Sequence, residues 1–277
     1  MFERTGKLST LIDGLCVPLR SAKHIDEVNA NPFITSVVTT PQVAEGLEMR
    51  LGVGVCSDPD AAHAEIHAEI AREHLAKLRA RPNVIDNSAY IDSAANLSGH
   101  AVTIGPGCWI GPNVTIAPGV SVGAHCVLHS GTVLGVPGFN SAALGGRRKI
   151  MQSLGGVRLE PFVEILANCT VANAVFGGHT LIDQETLIDN LVYIAHDVQI
   201  GRRVQICALA NILGRSIIGE EAYIGPSSVI KNGLRVGSRA RVTMGAVVTQ
   251  DVPENAVVSG NFAVSHDRFL HHIRSIR

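Results

Sequence analysis

Every sixth residue from Ile182 to Val248 is isoleucine or valine: Ile182, Ile188, Ile194, Ile200, Ile206, Ile212, Ile218, Ile224, Ile230, Val236, Val242 and Val248. An α-helix repeats every 3.6 residues, so a sustained period of six excludes it. Six is a multiple of two, and the marked side chains therefore share one side of an extended chain. Each hexad is longer than a tight turn and reads as a short strand plus a corner. Stacked hexads bury one continuous aliphatic column, which is the logic of a solenoid.

The period starts earlier, at Ile91 and Leu97. It slips by one residue and resumes at Ile104, Ile110, Ile116, Val122, Leu128 and Leu134. Two positions before each of these lies a small or β-branched residue: Val102, Cys108, Val114, Val120, Cys126 and Thr132. Residues 135–156 break the pattern, Leu159, Ile165 and Val171 restore it, and residues 172–179 break it again. The expected architecture is mainly β. A repeat domain spans 85–263 with a loop excursion at 135–156, followed by a short C-terminal helical tail at 264–277.

Residues 1–84 lack the period and read as a small α/β domain. Strands are expected at 14–18, 34–40 and 51–56, where apolar and β-branched residues cluster. Residues 41–49 read as helical. A longer amphipathic helix is expected at 61–81, with Ile66, Ile70, Leu75 and Leu78 near one face. His63, His67 and His74 lie on it. The i, i+4 spacing of His63 and His67 can suit a metal. Ala64, however, stands where a zinc protease carries glutamate, so these histidines are read as a solvated helix face and no metal site is expected.

A chain that is 46% hydrophobic and 17% charged is globular rather than disordered. Its formal net charge of -1 supplies no basic field for nucleic acid. No apolar run is long enough to cross a membrane, and the first residues lack the apolar core of a signal peptide. The six cysteines are scattered without a Cys-x-x-Cys, as in a reduced, cytoplasmic protein.

The [Leu/Ile/Val]-Gly-x-x-x-x phrasing of the hexads resembles the repeat of the left-handed β-helix acyltransferases. The resemblance covers residues 91–263. It implies a left-handed parallel β-helix in which three hexads make one triangular coil, so that residues 18 apart stack. Residues 188–201, Ile-Asp-Asn-Leu-Val-Tyr-Ile-Ala-His-Asp-Val-Gln-Ile-Gly, resemble the active-site run of the UDP-3-O-acylglucosamine N-acyltransferases of lipid A synthesis. The Gly138-Phe139 pair, the 157–169 coil and the phrase at 257–263 follow in the same order. The small α/β unit, with Asn31-Pro32-Phe33, is fainter in its likeness to that family's uridine-binding domain. Three departures stand out. Gly233 replaces the family's second active-site histidine. Ala172-Asn173-Ala174 replaces an Asp-Arg-Gly run. Cys16 and Leu19 fall near the positions of the aromatics that hold uracil.

His196 is the candidate base, just beyond the inward Ile194 and near a corner where a side chain can leave the coil. Acyl transfer to an amine or hydroxyl needs a group to take the proton as nitrogen or oxygen attacks the thioester carbonyl, and imidazole suits that task. Its other ring nitrogen needs an orienting partner. Asp189 and Asp197 are both candidates: the N-acyltransferase motif favours Asp189, whereas related sugar O-acyltransferases favour the following Asp197. The developing oxyanion needs a backbone N–H. Gly214 lies one 18-residue coil above His196, where the resemblance places the oxyanion glycine. It also implies Asn190, Gly138 and Phe139 as substrate-binding residues.

The implied reaction moves an acyl group from acyl carrier protein or coenzyme A to the amine of a nucleotide-linked amino sugar, in a homotrimer with no permanent cofactor. Lipid A or surface-polysaccharide synthesis is the implied setting. Three other readings stay open: sugar O-acetylation on the same fold, a non-catalytic solenoid that binds a partner, and a zinc carbonic anhydrase. The last needs three converging histidines, and only His179 lies near His196 by coil count.

Overall fold

The computed structural model describes residues 2–8, 10, 12–260 and 263–275. The Asn261-Phe262 part of the 257–263 phrase and the final residues of the tail, Ile276 and Arg277, lie outside the described residues.

The hexads form a left-handed parallel β-helix. Among the described residues its faces are three parallel sheets of eight, eight and nine short strands. Each marked hexad residue closes a strand and pairs with its counterpart on the next coil, as in Ile188↔Ile206, Ile194↔Ile212 and Ile200↔Ile218. All twelve positions from Ile182 to Val248 are at most 6% exposed. The second inward set behaves the same way: Val102, Cys108, Val114, Val120, Cys126 and Thr132 are each at most 2% exposed. Burying one such aliphatic side chain contributes roughly 1.5–3 kcal/mol, repeated along the whole column.

The coil begins one hexad before the sequence pattern shows it. Val84–Ile85 pairs with Thr103–Ile104, so Ile85 is the first rung. The two irregular pieces are bulges out of an unbroken stack. Leu134 pairs directly with Val171 across the excursion, and Leu159 with Ile182 across the second break. Within the excursion, Ser141–Leu144 and Arg147–Ile150 form an antiparallel hairpin.

The third residue after each hexad aliphatic turns the corner. Asn113, Leu191, Asp197, Arg203, Leu209, Arg215 and Glu221 all adopt φ between 53° and 64°. Few L-residues accept this region freely, yet the fold imposes it at every coil. Corner N–H groups bond to the preceding coil, as Leu209 N–H does to the Asn190 carbonyl and Arg215 N–H to that of His196. The corners therefore stack vertically.

The N-terminal unit is a parallel sheet in the order β1 (Arg4–Thr5), β2 (Leu15–Leu19), β3 (Ile34–Thr39), β4 (Gly52–Val55). Helices α1 (Ile25–Ala30) and α2 (Pro41–Ala44) connect its strands. The expected helix at 41–49 stops at Ala44, because the following residues turn. Helix α3 (Pro59–Arg79) is capped by Asp58, whose side chain accepts from the N–H groups of Asp60 and Ala61. Cys16 and Leu19 belong to the sheet core, 1% and 2% exposed. Helix α4 (His266–Ser275) forms the tail. No described helix is long and apolar enough to cross a membrane, and all six cysteines are free thiols.

The face of α3 is a correction. Its buried residues are Pro59, His63, Ala64, His67, Ala71 and Leu78, whereas Ile66, Ile70 and Leu75 are only half-buried. The two histidines are not solvated: they are 5% and 1% exposed and pack on Phe176, a fully buried side chain of the second break. His67 Nε2 donates to the Gln152 carbonyl at 2.6 Å, which leaves Nδ1 to accept from the Thr5 hydroxyl at 2.5 Å. A carbonyl cannot donate, so this tautomer is the neutral one the site requires. Helix α3, β1, the excursion and the second break are thus joined at one imidazole.

Burial, with smaller contributions from His67 and Lys7, lowers the His63 imidazole to about 4, and burial lowers His67 too. The unfolded chain therefore binds protons at these residues that the folded chain refuses. Their contribution is complete above about pH 6.5 and fades as pH falls toward 4. For His63 it is on the order of 3 kcal/mol. We expect the melting temperature to fall between pH 7 and pH 4, and His63→Gln to flatten that slope; equal slopes for the two proteins would contradict it.

Candidate active site

His196 sits at the corner between the strands Tyr193–Ile194 and Gln199–Ile200. It is only 9% exposed. Its Nδ1–H donates to Asp197 Oδ2 at 2.6 Å. Asp197 is the left-handed corner residue, φ 60°, a conformation that short polar side chains tolerate. The carboxylate is itself fixed: Val175 N–H donates to Oδ1 at 3.1 Å, and the Asp197 N–H donates to the Thr180 hydroxyl at 3.0 Å. Thr180 is fully buried in the strand His179–Ile182.

With Nδ1 committed to Asp197, the neutral imidazole keeps its lone pair on Nε2. That nitrogen faces Gly214. A Cβ built on Gly214 would lie 2.7 Å from Nε2 and 2.8 Å from Cε1. The Gly214 carbonyl accepts from Gly233 N–H, while its own N–H meets no acceptor among the described residues. Gly138 packs at the base of the ring, where an added Cβ would lie 2.5 Å from His196 Cβ and 2.9 Å from Cγ. Two glycines therefore pack against the ring, one from the excursion and one from the next coil.

Within the chain Asp189 bonds elsewhere than His196. Its Oδ1 accepts from the backbone and side-chain nitrogens of Asn190, and its Oδ2 from Ala208 N–H. Asn190 in turn accepts from Ala167 N–H. Both residues brace a different corner, between Leu187–Ile188 and Tyr193–Ile194. Within one chain the geometry therefore brings together His196, Asp197, Gly214 and Gly138. The Phe139 ring, beside Gly138, is 80% exposed and turned to solvent.

The sequence reading missed four contributors. Val175 holds the carboxylate and Thr180 the backbone N–H of Asp197, and Phe176, next to Val175, packs on His63 and His67. Lys7, from the loop after β1, is the fourth. Its ammonium is lowered by burial, then by the charge of Arg215, with Asp197 opposing; it therefore shares the field of the site. Val175, Phe176 and Lys7 lie outside the period; Thr180 keeps it, two positions before Ile182, but nothing in the repeat marks it as a partner of Asp197.

A cavity of about 380 Å³ adjoins the site. Lys7, Arg20 and Asp58 line it from the carboxyl ends of β1, β2 and β4, and Asn140 and Arg148 from the excursion. In its lining the buried His63 Nε2 and Asn140 Nδ2 have no hydrogen-bond partner, and Asp60 is ion-paired with Arg20. Ligands of open parallel sheets bind at these strand ends.

Fold and repeat together define the chain as a hexapeptide-repeat left-handed β-helix protein. Residues 101–135 match the family described as bacterial transferase hexapeptide (six repeats), and residues 216–250 match the hexapeptide repeat of succinyl-transferase. The chain is similar to 2,3,4,5-tetrahydropyridine-2,6-dicarboxylate N-acetyltransferase of Staphylococcus aureus (strain JH9), 54% identical over 44 residues. That stretch is 16% of this chain and 18% of the relative. Among solved structures it resembles UDP-N-acetylglucosamine acyltransferase from Campylobacter jejuni, with TM-score 0.55, 18% identity, and coverage of 70% of this chain and 81% of that one. The Francisella novicida UDP-N-acetylglucosamine acyltransferase gives TM-score 0.52, 17% identity, and coverage of 68% and 73%. At these identities the likeness is one of fold.

Proposed function

We propose that the chain transfers an acyl group from a thioester, on acyl carrier protein or coenzyme A, to the amine of a nucleotide-linked amino sugar. One observation carries this reading: an imidazole held on one nitrogen by a fixed carboxylate, with its other nitrogen aimed over a glycine. His196 Nε2 takes the proton as the amine nitrogen bonds to the thioester carbonyl carbon. Gly214 N–H donates to the oxygen that becomes negative in the tetrahedral intermediate. Collapse breaks the C–S bond, and the proton passes from His196 to the departing thiolate. Asp197 keeps the ring in its tautomer and offsets the charge of the imidazolium.

The cavity at the strand ends suits the acceptor, with Lys7 and Arg20 for its charged groups; Gly138 and Phe139 are proposed as further substrate contacts. Assembly is proposed as a homotrimer, with the pantetheine arm in a groove between neighbouring copies. The hexapeptide-transferase match, the local likeness to an N-acetyltransferase and the neighbours named as sugar-nucleotide acyltransferases all support the class. A second reading, O-acylation of a sugar hydroxyl, is favoured by the adjacent His196-Asp197 pairing.

The test is a screen for thiol release that crosses acetyl-, hydroxyacyl- and carrier-protein-linked donors with UDP-, dTDP- and GDP-linked amino sugars and their hydroxyl counterparts. Turnover is expected with at least one amino acceptor. Turnover with hydroxyl acceptors alone would move the reading to O-acylation. Silence across the screen would favour a binding solenoid.

A further inference from the structure

A second cleft, divided from the strand-end cavity by the Phe176 ring that lines both, lies where the last turns of α3 meet the β-helix. It encloses about 280 Å³ and is lined by Arg4, His74, Arg81, Gly177, Gly178 and His179. Arg81 and His179 also line an adjoining hollow with Arg158. We propose that this cleft is a binding site for a phosphate or diphosphate group, separate from the acyl-transfer site and independent of that reading.

Three observations converge. The first is charge. Among the described residues Arg4 pairs with Glu3 at 3.5 Å and Arg158 with Glu160 at 2.6 Å, whereas Arg81 forms no ion pair. Arg81 is thus a planar, bidentate donor without a carboxylate, placed between two cavities that both carry a histidine.

The second is backbone. Gly177 and Gly178 follow one another with φ 112° and 67°. Their N–H groups meet no acceptor among the described residues. Successive free N–H groups in such conformations form an anion-binding concavity. A Cβ on Gly177 would lie 3.1 Å from Arg4 Nη1, so glycine is what lets the guanidinium close over the loop.

The third is the response of the histidines. Burial lowers the His74 imidazole, and Arg81, Lys77 and Arg4 lower it further. Burial, Arg158 and Arg81 do the same to His179. The field at the cleft is positive, with Glu3 the acidic residue on its rim. A bound dianion offsets that field, so binding is coupled to proton uptake by the two imidazoles.

The experiment is calorimetric titration of the full chain with inorganic pyrophosphate. Saturable binding is expected, weakened by at least about 10-fold in Arg81→Gln and reduced as well in His179→Gln. Arg72→Gln, an exposed α3 residue paired with Glu69 outside the cleft, should bind like the unchanged protein. Melting curves confirm that each variant folds. Sulfate keeps its charge between pH 6 and pH 8, and its affinity should rise as the pH is lowered. Uridine diphosphate binding with the same Arg81 dependence would assign the site to a nucleotide, and pyrophosphate binding alone to a smaller ligand. No saturable binding, an Arg81→Gln variant that binds unchanged, or a sulfate affinity flat with pH would overturn the proposal.

Discussion

Replacing His196 with alanine is expected to slow acyl transfer by about 10²- to 10⁴-fold, the range for loss of a positioned general base. The fold should survive. The ring sits at a corner outside the aliphatic column, and Asp197 keeps its bonds to Val175 N–H and the Thr180 hydroxyl. A melting temperature close to that of the unchanged protein, with thiol release near the uncatalysed rate, is the expected pair of results. Full activity in this variant would remove His196 from the chemistry.

Gly214→Ala should have the next largest effect. Its methyl group would arrive 2.7 Å from Nε2, well inside contact distance. The ring has little room to shift, because Gly138 packs against its base and Asp197 holds Nδ1 at 2.6 Å. Either the imidazole tilts out of line or the acyl group loses its seat beside the Gly214 N–H. Misplacement on the scale of an ångström costs about 10²-fold, and kcat should carry most of the loss. Gly99→Ala, where an added Cβ meets nothing within 4 Å, is the matched control and should leave kcat unchanged. Equal kcat for both variants would show that the space over His196 is not used.

The β-helix is legible in the sequence because one simple force writes it. Each coil buries the same aliphatic position, and the period of six survives two interruptions. His196 and Gly214 come together by that arithmetic alone, since corners stack as strands do. The first rung at Ile85 is in phase with Ile91, six residues on, but it caps the open end of the column and is 39% exposed, so the burial that marks the other rungs is missing there.

What the repeat does not encode is what the bulges do. Gly138 returns to pack on His196, and Val175 reaches back to Asp197, through contacts that no periodicity predicts. The choice between Asp189 and Asp197 is likewise decided by corner geometry. Asp189 spends both oxygens on Asn190 and Ala208, while Asp197 is bent by its left-handed φ toward the ring. On α3 the spacing of isoleucine and leucine misleads. The helix docks through His63 and His67 because the partner surface is the polar edge of the excursion and the Phe176 ring. A histidine in a sequence carries no sign of whether a carbonyl and a hydroxyl await it.

Acyl transfer is tested most directly by the mass of the acceptor after incubation with a thioester donor. The prediction is an amino sugar heavier by one acyl group, its amine blocked, with thiol released in equal amount, and an unchanged acceptor when His196→Ala replaces the native chain. Thioester consumed while the acceptor keeps its mass, or acylation that persists undiminished without the imidazole, would contradict it.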